Sequence, residues 1–222
     1  FVDLVMARLF EHAHMEEMAE HADVPVINAL TNFAHPCQIL ADFQTIREKK
    51  GHLEGLKMAY LGDACNNVTH SLAYGCARAG MQLAIGCPDD EAFRPLPGVL
   101  EQAKETAAQC GSEITVTPDA MEAARGADVV YTDSWMSYHI PKEELDGRVK
   151  ILSPYQVNAE VMAHAGPDAV FMNCLPAARG CEQTAEVIDG PQSVVFDQAE
   201  NRLLAQKAVM IQLVVDSGAS GA

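Results

Sequence analysis

The sequence predicts an α/β protein with two Rossmann-like domains on parallel sheets, the first only partly present and the second doubly wound. Three observations predict it. Short apolar runs alternate with amphipathic stretches along most of the chain, which is the pattern of repeated βα units. Gly51, Gly80 and Gly111 close helical stretches, as C-terminal stop signals do. The unusual polar residues fall just after the apolar runs, where open parallel sheets bind ligands.

Taken in order, residues 1–9 are dominated by Val, Leu and Met and read as a strand, 15–21 as a short helix and 24–28 as a second strand. Pro36 opens a helix over 38–49. It ends in the charge cluster Arg47-Glu48-Lys49-Lys50 with Gly51 and Gly55, the best candidate for a domain boundary. A second βα series follows, with strands at 56–61, 81–85, 113–116 and 129–132 and helices at 67–79, 96–110 and 119–125. Residues 133–148 hold Tyr, Trp, His and Pro without a period and read as a long loop with at most one helical turn. Beyond it come a helix at 158–164, a strand at 169–173, a short helix at 182–188, a last strand at 193–196 and a long helix at 199–215. The Gly/Ser/Ala stretch 216–222 reads as a flexible tail. The expected division is 1–50 for a first, partial domain, 51–200 for a second, and 201–222 for a C-terminal helix, packed back on the first, plus the tail.

Composition narrows the function. Of 222 residues, 15 are Lys or Arg against 31 Asp or Glu, a formal net charge of −16. That balance argues against a nucleic-acid groove, which concentrates positive charge. A hydrophobic share of 49% is too high for disorder. The longest apolar runs, such as 208–215, fall short of a membrane span. Seven cysteines without a CxxC pair suit a reducing compartment, so cytoplasm is expected, without a disulfide framework or structural zinc. The chain opens at Phe1 inside a strand pattern, with no basic stretch ahead of an apolar one, so the expectation is a domain whose front lies before Phe1.

Four segments follow predicted strands and hold the candidate chemistry. In His35-Pro36-Cys37-Gln38 a His and an amide share the mouth of a helix, where they can polarise a carbonyl and favour an anion; the plainer reading is an N-cap His with an exposed Gln. Gly62-Asp63-Ala64-Cys65-Asn66-Asn67 opens a helix but is neither GxGxxG nor a P-loop; Asn66 or Asn67 can cap that helix or bind a substrate. Asp133-Ser134-Trp135-Met136-Ser137-Tyr138-His139 carries the single Trp of the chain and an acidic residue able to hold an ammonium group, with Ser137 adding a hydrogen bond. In Asn173-Cys174-Leu175-Pro176 a thiol sits beside a Pro-kinked loop. No His lies close by to activate it, so Cys174 reads as a wall or hydrogen-bonding group rather than a covalent nucleophile.

Taken together and in this order, these segments resemble the ornithine carbamoyltransferases of the aspartate/ornithine carbamoyltransferase family. The resemblance adds Met6-Ala7-Arg8, Pro25 to Thr31, Ile39-Leu40-Ala41-Asp42 and Glu200-Asn201-Arg202, and runs over nearly the whole chain. It implies that Arg8, His35 and Gln38 meet carbamoyl phosphate, that Asn67, Asp133, Ser137 and Tyr138 meet the amino acid, that Cys174 and the Leu175 backbone lie near the attacking amine, and that Arg202 helps hold carbamoyl phosphate. Arg8, His35, Gln38 and Cys174 are the catalytic candidates. The implied reaction is attack of the neutral δ-amine of L-ornithine on the carbamoyl carbon, giving citrulline and phosphate, without metal or organic cofactor. The resemblance further implies a homotrimer or a multiple of trimers for the full-length protein.

This chain departs from the family at three points. The family's Ser-x-Arg-Thr-Arg phosphate motif is not among these residues and is expected before Phe1, so the chain reads as the back part of such an enzyme, with little or no transferase activity alone. Ser137-Tyr138-His139 stands where Ser-Met-Gly is usual, which keeps putrescine or an N-acylated ornithine open as acceptor. Asn173 stands where a His is usual; Asn keeps a donor and an acceptor but takes up no proton. A catalytically silent homologue that binds ligand or assembles with a full-length subunit is the alternative. A nicotinamide dehydrogenase fits poorly, because no glycine-rich turn follows the strand at 56–61.

Overall fold

The computed structural model describes residues 2–136 and 140–216. Two parallel sheets organise them. The first pairs β1 (Val5–Arg8) with β2 (Val26–Leu30), joined through α1 (His12–His21) and followed by α2 (Pro36–Lys50). The second runs β3 (Lys57–Leu61), α3 (Asn67–Arg78), β4 (Gln82–Gly86), α4 (Pro97–Cys110), β5 (Ile114–Thr117), α5 (Ala120–Ala124) and β6 (Val129–Tyr131). It continues through α6 (Leu145–Leu152), α7 (Ala159–His164), β7 (Val170–Met172) and α8 (Ala185–Ile188) to a final helix, α9 (Val195–Asp216).

The five-stranded sheet has the order β5-β4-β3-β6-β7, all parallel. The chain winds outward from β3 through β4 to β5, then returns to the other side of β3 as β6. The carboxyl ends of β3 and β6 therefore flank the point where the winding direction switches, and crevices open at such points. Both faces of the sheet are covered. Met58 and Tyr60 of β3 pack with Val68 and Leu72 of α3 and Val99 of α4, while Ala59 and Leu61 pack with Ala120 and Ala123 of α5 and Val161 of α7. That alternation is the period of two that a strand imposes. Gly75 of α3 marks where α2 crosses closely: a Cβ there would stand 2.8 Å from Ile39 Cγ2 and from Phe43 Cζ.

Several expectations shift. The strand expected at 1–9 is four residues long, and α1 begins at His12 rather than residue 15. Residues 193–196 do not form a strand. Val194 N donates to Phe171 O at 3.0 Å, a single bridge beside β7, and Gln198 N then donates to Val194 O at 2.9 Å. The apolar run Val194-Val195-Phe196 is the entrance of α9, which starts ahead of both the helix expected at 199 and the domain limit placed at 201. Part of the stretch expected as a loop is helical: a 3-10 turn over Lys142–Glu144 leads directly into α6, and residues 137–139 lie outside the described residues. The tail over 217–222 lies outside the described residues.

Helix α9 lies along α2. Lys49 pairs with Asp197 at 3.1 Å, and Asn201 Nδ2 donates to Thr45 Oγ1 at 3.0 Å and to Glu48 Oε2 at 2.7 Å. The last helix thus returns across the five-stranded sheet to the helix that follows β2.

Candidate functional site

A cleft of about 330 Å³ opens where the strands end. Arg8, at the end of β1, His35, ahead of α2, and Arg202, on α9, line one part of it. Asn67, Asp133, Cys174 and Leu175, from the ends of β3, β6 and β7, line the other. The four strand ends named here meet in one place because both sheets point their carboxyl edges toward it.

The first part is built for an anion. Pro36 occupies the first turn of α2, and the N-cap residue His35 makes no side-chain cap bond. The imidazole is therefore not used up in capping, and its Nδ1 is buried without a partner among the described residues. Burial, with the positive charges of Arg202 and Arg8 beside it, drives the His35 pKa from 6.5 down to about 3. The ring is neutral at physiological pH and offers one N–H without adding charge. Arg202 Nη1 donates to Gln38 Oε1 at 2.5 Å, while its buried Nε has no partner among the described residues. The guanidinium keeps donors for a ligand.

Gln38 does not line the cleft. It is 1% exposed, and besides accepting from Arg202 it donates from Nε2 to Asp42 Oδ1 at 2.8 Å. One helical turn separates Gln38 from Asp42, so both face inward. In this geometry Gln38 supports Arg202 from below.

The second part is built for a cation. Asp133 follows β6, and burial raises its carboxyl pKa against the hydrogen bonds that favour the charge. Those bonds come from Cys174 Sγ at 3.1 Å and Ser134 N at 2.7 Å. Burial and the adjacent Asp133 charge hold the Cys174 thiol well above its ordinary range. Cys174 is thus a protonated donor to a carboxylate and not a thiolate nucleophile. Asn66, not Asn67, caps α3, accepting from Thr69 N at 2.9 Å. Asn67 faces the cleft and spends one amide proton on Thr31 O at 2.7 Å. Ser137 and Tyr138, expected to meet the amino acid, lie outside the described residues.

Leu175 adopts a φ of +55° before a cis bond to Pro176. A bulky residue rarely holds that conformation. Asn173 supports it: Asn173 Oδ1 accepts from Leu175 N at 2.8 Å, and its Nδ2 donates to Gln183 Oε1 at 3.2 Å. The fully buried Asn173 is therefore a turn-holding residue in this chain.

Several supporting residues escape a reading of the sequence. Glu182 is buried and accepts from Trp135 N at 3.2 Å and from Ala178 N at 3.0 Å, tying the loop after β6 to the loop after β7. Arg148 Nε donates to Trp135 O at 2.7 Å, its guanidinium pairs with Asp63, and it lies over the Phe93 ring. Trp135 packs against Gly62, whose φ of +125° and a would-be Cβ 3.0 Å from Trp135 Nε1 exclude a side chain. The signal available beforehand was polar residues on otherwise apolar faces: Asp42 within α2 and Gln198 and Asn201 on the buried stripe of α9. Among the described residues, no group of three or more His, Cys, Asp or Glu side chains is placed to hold a metal ion, and no helix is long and apolar enough to cross a membrane.

Two family patterns cover most of the chain. The aspartate/ornithine carbamoyltransferase Asp/Orn binding domain matches residues 54–213, and the carbamoyl-P binding domain of the same family matches residues 1–48. The chain is 51% identical over 210 residues to an ornithine carbamoyltransferase of Thermococcus kodakarensis, covering 95% of this chain and 65% of the relative. It is 52% identical over 216 residues to one of Methanothermobacter thermautotrophicus, covering 97% of this chain and 70% of the relative. The chain thus spans about two thirds of the length of these curated relatives. Among solved structures, ornithine carbamoyltransferase from Pyrococcus furiosus superposes with a TM-score of 0.90 at 48% identity, covering 95% of this chain and 66% of that one. Ornithine transcarbamoylase from Giardia lamblia does so with a TM-score of 0.90 at 45% identity, covering 96% and 71%.

Proposed function

Because this chain belongs to the aspartate/ornithine carbamoyltransferase family, we propose that its cleft serves transfer of the carbamoyl group of carbamoyl phosphate to the δ-amine of L-ornithine. The observation that carries this reading is the polarity of the cleft. An end with Arg8, Arg202 and a neutral His35 faces an end with Asp133 and a protonated Cys174. An anionic donor and an amino-acid acceptor need that arrangement, and they need it within one reaction distance.

Arg8, Arg202 and the amino end of α2 hold the phosphate group. Neutral His35 donates to the carbamoyl oxygen as negative charge develops there, with Gln38 fixing Arg202 beside it. Asp133 takes the α-ammonium of ornithine, Asn67 a further polar group, and Cys174 keeps the Asp133 carboxylate aimed into the cleft. Leu175 presents its backbone toward the attacking amine. The neutral δ-amine attacks the carbamoyl carbon and a C–N bond forms. The C–O bond to phosphate then breaks, and the amine proton leaves with the phosphate. Citrulline and phosphate result.

In this reading residues 1–50 form the carbamoyl-phosphate side, the residues from 51 up to α9 the ornithine side, and α9 (Val195–Asp216) packs back on the first; the protein works in the cytoplasm as a trimer or a multiple of trimers. The test is formation of citrulline and phosphate from carbamoyl phosphate and L-ornithine, with putrescine and N-acetylornithine in parallel. Citrulline from L-ornithine supports the assignment. Faster turnover of another amine reassigns the acceptor, and binding of both ligands without turnover by the full-length protein makes it a silent homologue.

A further inference from the structure

Beneath the cleft, polar side chains of α2, β6 and α9 form one buried network. Asp42 is fully buried and accepts from three donors: Gln38 Nε2 at 2.8 Å, Gln198 Nε2 at 2.7 Å and the Tyr131 hydroxyl at 3.1 Å. Gln198, also fully buried, further donates from Nε2 to Tyr131 at 3.1 Å and accepts at Oε1 from Asn173 N at 3.0 Å. Arg202 closes one end of this run on Gln38, and Leu175 N closes the other on Asn173.

The chemistry of the members sets their order. A carboxylate only accepts, whereas an amide has one accepting and one donating end. Asp42 therefore turns the NH2 groups of both Gln38 and Gln198 toward itself. That leaves Gln38 Oε1 facing Arg202 and Gln198 Oε1 facing the Asn173 N–H. One carboxylate orients two amides, and each amide holds a different part of the cleft.

We propose that Asp42 and Gln198 are positioning residues that set Arg202 and the Leu175 turn from a single buried network, so that the anion end and the amine end of the cleft are held in register. This rests on reading the cleft as the carbamoyl-phosphate and amine site. Neither residue touches the cleft itself, and both act through Gln38 and Asn173.

The test compares ligand affinities by titration calorimetry with the folded state followed by circular dichroism and melting. In Asp42→Leu the oxygen that accepts from both Gln38 Nε2 and Gln198 Nε2 is lost, the Gln38 amide is free to flip, and binding of carbamoyl phosphate and of inorganic phosphate falls about tenfold, the scale of one charge-assisted hydrogen bond. Adding Gln38→Glu, whose two oxygens both accept, restores an acceptor toward Arg202 whichever way the group turns, and recovers most of that loss. Gln198→Met removes the acceptor for Asn173 N–H and weakens L-ornithine binding more than phosphate binding; it carries the test alone if Asp42→Leu does not fold. The proposal is overturned if folded variants bind both ligands as the unaltered protein does, or lose both in proportion to their melting temperatures. If the unaltered protein binds neither ligand, the reading of the cleft fails, and the inference fails with it.

Discussion

His35, the N-cap of α2, and Asp42 lie about two turns apart, and burial moves both toward neutrality. The consequences for stability have opposite signs. His35 falls from 6.5 to about 3, so as pH drops below 6.5 the unfolded chain takes up a proton that the folded chain refuses, and stability is lost until pH reaches about 3. At roughly 1.4 kcal/mol per unit that loss is on the order of 5 kcal/mol. Asp42 rises from 3.8 to about 6, through burial against the bonds from Gln38, Gln198 and Tyr131. As pH falls through 6 toward 3.8 the folded chain takes up a proton that the unfolded chain does not, and stability of the order of 3 kcal/mol returns. The two groups offset each other between pH 6 and 4. Denaturant midpoints measured from pH 8 to 4 are expected to fall more steeply below pH 6 in Asp42→Asn than in the unaltered protein, and less steeply in His35→Gln. The slope carries the test, whatever each variant costs at neutral pH. Three parallel curves would remove the opposed titrations from the account.

Between elements, the cleft depends on loops that no periodicity describes. Glu182 stands ahead of α8 and binds the loop after β6 and the loop after β7 with its two carboxylate oxygens. Losing an acceptor for a buried N–H costs about 1–3 kcal/mol. Glu182→Ala strands the buried Trp135 N–H and releases the part-buried Ala178 N–H to water, so a loss of roughly 1–3 kcal/mol is expected in denaturant unfolding. Trp135, the single Trp of the chain, reports it directly: now 2% exposed, its emission is expected to shift red and become quenchable by acrylamide. An unchanged spectrum with unchanged stability would show that Arg148 alone fixes the loop. The same elements show what was legible in the sequence. Strands β3, β4, β6 and β7 were legible because burial on two faces leaves continuous apolar runs, and His35 because Pro36 marks the start of α2. Residues 193–196 misled because an apolar run as short as Val194-Val195-Phe196 fits a strand and the first turn of a buried helix equally well. The 3-10 turn and α6 within 140–152 were hidden by a charged, Pro-containing stretch whose helix buries only Leu152. Asp42, Gln198, Glu182 and Arg148 act through partners far away in the chain, and spacing along one sequence does not reveal such pairs.

Across the whole molecule, α9 links sites and surfaces. Gln198, Asn201 and Ala205 form its buried stripe against α2, and Arg202 reaches the cleft from beside that stripe. The opposite side of the same helix is apolar and exposed: Phe196 is 72% exposed, Leu203 59%, Ile211 65% and Val215 56%. Steps of seven separate Phe196 from Leu203 and Leu204 from Ile211, and a further four lead to Val215, which keeps them on one face at 3.6 residues per turn. The surface of β1 adds Met6 at 60%. Contiguous apolar stripes of this kind are covered in stable proteins, by another part of the chain or by another copy. The protein is therefore expected to self-associate, with a sedimentation coefficient that rises over the micromolar range. The paired change Phe196→Ser with Ile211→Ser is expected to reduce that rise while leaving the buried stripe and the Gln38–Arg202 contact intact. Phosphate affinity should consequently hold while association weakens. A monodisperse monomer at every concentration would count against assembly through α9. A paired variant that loses phosphate binding along with association would show instead that the outer face of the helix sets the position of Arg202, and that assembly and the anion end of the cleft are one device.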